Sequence, residues 1–117
     1  MRDLSKEFYF HFMNKVRRKI YYVYVITSIS KVLYIGFTDS LFKRIKEHKK
    51  GSYDNAFSKK YKVNKLVYWE YYYDKKEALY REKELKKYRR EKKIKLIEKN
   101  NLEWEDLYPT IVEMSKL

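Results

Sequence analysis

Two short runs of β-branched and aromatic residues, Tyr21 to Ile26 and Val32 to Ile35, stand on either side of Thr27-Ser28-Ile29-Ser30-Lys31. Runs of that composition around a short polar stretch predict a β-hairpin. Strand alternation then puts Tyr22, Tyr24 and Ile26 on one face. Gly36, one of only two glycines, is expected to end the second strand, where the backbone must turn sharply or approach another group closely. Asp39 offers an N-cap to the helix that follows. In that helix Leu41 and Ile45 form an apolar stripe, and Arg44 and His48, four residues apart, share a neighbouring face. The hydroxyls of Tyr24 and Tyr34, a guanidinium and an imidazole thus point toward one polar site.

The remainder of the chain alternates strand and helix signals. Residues 65–73 predict a strand, with Leu66, Tyr68, Glu70 and Tyr72 on one face and Val67, Trp69, Tyr71 and Tyr73 on the other. Two rather apolar faces suggest a central strand covered by helices on both sides. Asp74-Lys75-Lys76-Glu77 has the spacing of a capping box and opens a helix carrying Ala78, Leu79, Glu82 and Leu85. Glu82 sits beside core positions, where a carboxylate needs a partner, either a metal ion or a cation such as Arg44 or a neighbour of Arg81. A second helix over roughly 91–99 buries Ile94 and Ile97. Arg89, Arg90 and Lys93 make its exposed side a candidate phosphate-facing ridge, against the alternative of plain solvation. Asn101 is placed to cap a final turn. Pro109 ends the ordered pattern, leaving the tail as a short helix or frayed.

Upstream, Leu4, Phe8, Phe12, Val16 and Ile20 recur every four residues, the signature of an amphipathic helix that packs on its own domain or on a second copy. The segment Phe57-Ser58-Lys59-Lys60-Tyr61 is basic and aromatic. Lys59 and Lys60 either contact a nucleic-acid backbone or flank two aromatic loop anchors.

The chain has 117 residues, one domain by length, and 29 Lys and Arg against 16 Asp and Glu, a formal charge of +13. That balance favours a polyanionic partner, nucleic acid above all. The 14 tyrosines supply rings for base stacking, although most are needed for the core. The absence of cysteine excludes disulfides and zinc–thiolate sites. With no apolar run of membrane-spanning length and no signal-like N-terminus, a soluble, cytoplasmic protein is expected.

Taken together, these motifs resemble the GIY-YIG endonuclease domain, in particular its small stand-alone members. Tyr34-Ile35-Gly36 matches the second half of the signature literally. Tyr22-Val23-Tyr24 matches the first half but has an aromatic residue where the glycine stands. The spacing from Tyr34 to Arg44 and His48 is similar to the family pattern. The run from Ala78 to Lys86 resembles the helix that carries the family's metal-binding glutamate, which makes that residue Glu82. The resemblance extends over roughly 20–107, leaving 1–19 as an N-terminal helical extension and 108–117 as a C-terminal tail.

The resemblance implies an α/β fold with a small, mainly antiparallel three-stranded sheet flanked by helices. It implies a metal-dependent nuclease that hydrolyses phosphodiester bonds in nucleic acid, with DNA favoured and Mg²⁺ or Mn²⁺ as cofactor. Tyr34 or Tyr24 would orient or deprotonate the water, Arg44 would hold the scissile phosphate and Glu82 the metal. His48 would carry a proton or hold a phosphate. Gly36 supports the site, and Asn101, with Asn100 as its rival, is a lesser candidate late in the domain. Phe37 stands where some relatives carry a lysine. The alternatives are a nucleic-acid-binding module that keeps the fold without turnover and, more remotely, a protein-interaction adaptor built on the N-terminal helix.

Overall fold

The computed structural model describes residues 19–51 and 64–116. The N-terminal amphipathic segment through Val16, and the loop segment with Lys59 and Lys60, lie outside the described residues. Within them the elements run β1 (Tyr21–Thr27), β2 (Leu33–Thr38), α1 (Leu41–Lys50), β3 (Lys65–Tyr72), α2 (Lys75–Lys87), α3 (Arg90–Glu98) and α4 (Tyr108–Ser115). The strands form one antiparallel sheet in the order β2-β1-β3. This is the α/β architecture expected, a three-stranded sheet flanked by helices.

The hairpin forms as composition and alternation predict, but its second strand is longer. Gly36 does not end β2; it lies inside the strand as the Cα partner of Tyr24. The reason for glycine is close approach. A Cβ at this position would collide with Cζ, Oη and Cε1 of Tyr24, the last only 2.9 Å away. The chain reverses through Ser28 to Val32, with Lys31 N–H donating to Ser28 O at 3.0 Å and Ser28 N–H to Val32 O at 3.2 Å. Lys31 adopts φ 63°, the left-handed step that completes a three-residue hairpin loop.

Helices cover both faces of the sheet and divide the core in two. Tyr22, Tyr24, Ile26, Leu66 and Trp69 pack with Leu41 and Ile45 of α1 and with Ile111 and Met114 of α4. Val23, Val25, Ile35, Val67 and Tyr68 pack with Ala78 and Leu85 of α2, Ile97 of α3 and Trp104. The segment containing Pro109 is therefore not a loose tail: Pro109 occupies the first turn of α4, where its missing N–H costs no helical bond.

Two expectations for β3 are corrected. It is an edge strand and β1 is central. In a sheet of three strands sandwiched between helices, an edge strand also has two buried faces, so apolarity on both sides does not single out the middle. Its outer edge is covered by the loop before α4, where Leu107 N–H donates to Leu66 O at 2.7 Å and Leu66 N–H to Asp106 Oδ1 at 3.1 Å. The second correction concerns alternation. The pairing steps from Val25↔Tyr68 to Ile26↔Leu66, so Val67 is an extra residue in a β-bulge. Leu66 consequently joins the Trp69 face and Val67 the Tyr68 face.

Of the four helices among the described residues, only α2 begins with a side-chain cap. Asp74 caps α2 as predicted, Oδ1 accepting from Lys76 N–H at 2.9 Å. Asp39 does not cap α1. Ser40 holds the N-cap position without a side-chain bond, and the Asp39 carboxylate pairs instead with Lys19 at 3.2 Å, whose hydrogen bond and charge hold the Asp39 carboxyl below its usual range. Gly51, at φ 68°, closes α1 and donates to His48 O at 3.1 Å, the left-handed cap that glycine adopts without steric cost.

Candidate active site

Three rings supplied by three elements converge on the α1 face of the sheet. Tyr24 of β1, Tyr34 of β2 and His48 of α1 have centroids 6.4 Å (Tyr24–Tyr34), 5.9 Å (Tyr24–His48) and 5.7 Å (Tyr34–His48) apart. The Tyr24 hydroxyl and His48 Nε2 share a hydrogen bond of 3.2 Å. Tyr24 is fully buried and His48 nearly so, whereas Tyr34 is half-buried. Gly36 makes this possible, because only a residue without a side chain lets the Tyr24 ring lie across β2.

Arg44 stands one turn before His48 and forms a 3.7 Å ion pair with Glu47. Burial, reinforced by the Arg44 charge, pushes the His48 imidazole down to about 4. At neutral pH the ring is uncharged, so Tyr24 faces a neutral partner. The guanidinium is the positive charge that α1 offers beside the rings, and its planar fork suits the oxygens of a phosphate.

Glu82 projects from α2 on the same helical face as Ala78 and Leu85, with its side chain 16% exposed and an ion pair to Lys86 at 3.2 Å. Lys86 is thus its cationic neighbour, rather than Arg44 or a residue beside Arg81. Since Ala78 and Leu85 pack in the core shared with Val23 and Ile35, α2 covers the sheet face opposite to α1. Among the described residues no three His, Cys, Asp or Glu side chains gather as a metal cluster. A cation here would therefore take one carboxylate and complete its shell with water and phosphate oxygens. That donor set fits Mg²⁺, which binds through one or two carboxylates and keeps several waters.

Asn101 is committed elsewhere. Its Nδ2 donates to Val67 O at 3.1 Å and Glu105 O at 2.9 Å, and its Oδ1 accepts from Glu105 N–H at 2.9 Å. Both amide donors hold the loop between α3 and α4 against β3, and α4 itself begins only at Tyr108, with Leu107 as its N-cap. Phe37 stacks on Tyr21, centroids 6.0 Å apart and planes within 12°, so the ring belongs to the packing of the α2 face. Tyr22 fills the place of the signature's first glycine by an edge-on contact with Trp69, centroids 6.2 Å apart.

A charged network escaped the sequence reading. Glu70 accepts from the hydroxyls of Tyr68 and Tyr72, the latter at 2.5 Å, and from Arg81 Nε and Nη2 at 2.9 and 3.0 Å. Arg81 also reaches Glu84. Burial alone would raise the Glu70 carboxyl, but Arg81 and the two tyrosines bring it below its ordinary value. The available signal was a lone glutamate in the middle of an aromatic strand, which requires a buried counter-charge.

The family described as the GIY-YIG catalytic domain matches residues 20–95. The chain belongs to the GIY-YIG family. A UPF0213 protein of Syntrophus aciditrophicus is 37% identical over 79 residues, covering 68% of this chain and 91% of that protein. One from Clostridium perfringens is 36% identical over 85 residues, covering 73% and 90%. The solution NMR structure of a UPF0213 protein from Bacillus halodurans is 28% identical with a TM-score of 0.49, covering 74% of this chain and 92% of that one. The GIY-YIG family has a nuclease-type fold, its members are generally endonucleases acting on nucleic acid, and they typically use a divalent metal. The matched stretch holds Tyr24, Tyr34, Arg44, His48 and Glu82, while Asn101 lies beyond it. No helix among the described residues of this GIY-YIG protein is long and apolar enough to cross a membrane.

Proposed function

We propose that this protein is a metal-dependent endonuclease that hydrolyses phosphodiester bonds, with DNA the favoured substrate. The observation that carries the reading is the 3.2 Å bond between the Tyr24 hydroxyl and His48 Nε2 beside the ring of Tyr34, with Arg44 one turn away. Tyr34, the less buried tyrosine, meets the attacking water and orients it or takes its proton. Tyr24, buried and tied to a neutral imidazole, holds Tyr34 and His48 in register. Arg44 binds the non-bridging oxygens of the scissile phosphate and neutralises charge that develops there. Glu82 would hold the divalent cation, which when bound would supply positive charge to a phosphate; its helix packs on the sheet face opposite to the Tyr24, Tyr34 and His48 rings, so this role follows from the family resemblance and not from proximity to the rings.

The surface charge of the chain suits this substrate. Arg89 and Arg90 are exposed and Lys93 half-exposed at the start of α3, and we assign them, with Lys59 and Lys60, to the nucleic-acid backbone. The second reading, a binding module without turnover, is favoured by Phe37. Its ring is stacked on Tyr21 and supplies no cation where some relatives carry a lysine.

A panel of labelled DNA and RNA structures with Mg²⁺ or Mn²⁺ tests the proposal, comparing the native chain with Tyr34→Phe, Arg44→Ala and Glu82→Ala. Cleavage by the native chain that is lost in all three folded variants supports the nuclease. Salt-sensitive binding with no cleavage supports the binding module, and activity that persists in all three refutes the assigned site.

A further inference from the structure

The turn between β1 and β2 combines three properties that the site does not use. Ile29 at its apex is completely exposed, 101%, where a turn ordinarily carries Gly, Asn, Asp or Ser. Single exposed apolar residues are common on protein surfaces, but this one stands on a braced support. Ser28 Oγ accepts from Val32 N–H at 3.1 Å and bonds Ser30 Oγ at 3.0 Å. From α3, Arg90 Nη2 donates to Lys31 O at 2.7 Å. The Lys31 ammonium in turn lies over the Trp104 ring, 4.6 Å from its centroid. The apex is thus a hydrogen-bonded apolar tip flanked by two cations, with exposed Arg89 beside Arg90 in sequence.

From this arrangement we infer that Ile29 is a wedge that enters an interrupted base stack, while Lys31, Arg89 and Arg90 hold the phosphates on either side. Apolar side chains that insert between base steps, supported by basic residues on the flanking backbone, are a general means of gripping unstacked nucleic acid. A nick, flap or branch has already lost the stacking that a continuous duplex must give up, so such substrates are selected. This inference rests on the nucleic-acid reading above and adds its structural selectivity.

The test uses the full chain and three DNAs of one sequence: a continuous duplex, the same duplex with a central nick, and a three-way branch. Each carries 2-aminopurine at the central step. Binding is measured by fluorescence anisotropy at one fixed salt concentration, and unstacking by 2-aminopurine emission. The native chain is expected to bind the nicked and branched DNAs about tenfold or more tightly than the continuous duplex, with a rise in emission. Ile29→Ser, a change at a fully exposed position that leaves the core intact, should bring the preference within about twofold and abolish the rise. Its affinity for the continuous duplex should stay the same, and Ile29→Leu should keep the preference. Equal native affinity for all three DNAs, or a preference unchanged in Ile29→Ser, overturns the wedge while leaving the nuclease reading intact. Failure to bind any of the three overturns both.

Discussion

The ring of Tyr24 lies against the bare backbone of Gly36, its partner across the β1–β2 ladder. A methyl group at Gly36 has nowhere to go, because Tyr24 is itself fully enclosed. Gly36→Ala should therefore destabilise the fold by about 1–3 kcal/mol, the usual cost of overpacking a tight core. It should also displace the Tyr24 hydroxyl from His48. Denaturant unfolding reads the first effect and single-turnover cleavage the second; a variant of native stability and activity would contradict the geometry.

His48 makes stability depend on acid. Its folded-state value of about 4 lies below the ordinary 6.5, so between those values the unfolded chain binds a proton that the folded chain refuses. Stability is complete above about pH 6.5 and falls as the pH drops toward 4, by on the order of 2–3 kcal/mol. His48→Gln should flatten this window in a series of thermal melts, and NMR titration should show the imidazole still neutral at pH 5.

The Glu70–Arg81 pair should behave as a buried ion pair. Arg81→Met leaves a carboxylate enclosed without its counter-charge and should cost about 3–5 kcal/mol. The double variant Glu70→Leu/Arg81→Met should recover much of that loss. Equilibrium unfolding of the two single variants and the double variant measures the coupling, and additive effects would contradict it.

Metal removal should abolish cleavage without unfolding the protein, since no cluster of ligands is built into the core among the described residues. Glu82→Gln should raise the Mg²⁺ concentration needed for half-maximal cleavage by about tenfold or more, with an unchanged melting temperature. A native-like Mg²⁺ dependence would remove Glu82 from the metal's shell.

Basic residues of α3 should act on affinity through salt. Arg89→Ala and Lys93→Ala should each weaken binding across sequences and reduce the slope of log affinity against log salt by about 1. Slopes equal to that of the native chain would exclude both from the phosphate contacts.

Local patterns carried far in this chain because the hairpin, the capping box and the helix periodicities depend on neighbours in sequence. Tyr24 and Tyr34 were placed by alternation, and Arg44 and His48 by helical spacing, so their elements followed from the residues. The Val67 bulge was not legible, since an extra residue in one strand is defined only by its partner. Nor was the role of Asp106, which pairs with Lys49 at 2.5 Å and receives Leu66 N–H; these partners lie 57 and 40 residues away in sequence.

The sequence by itself determined the element types, the GIY-YIG signature and a charge suited to nucleic acid, because composition, periodicity and spacing are local quantities. Only the tertiary structure decided that β1 is central, that Gly36 exists to admit the Tyr24 ring, and that His48 is buried and neutral. It alone paired Glu70 with Arg81 and set α2 on the face opposite α1. Strand order, burial and desolvation arise from contacts between distant segments, and no residue carries them until the segments have packed.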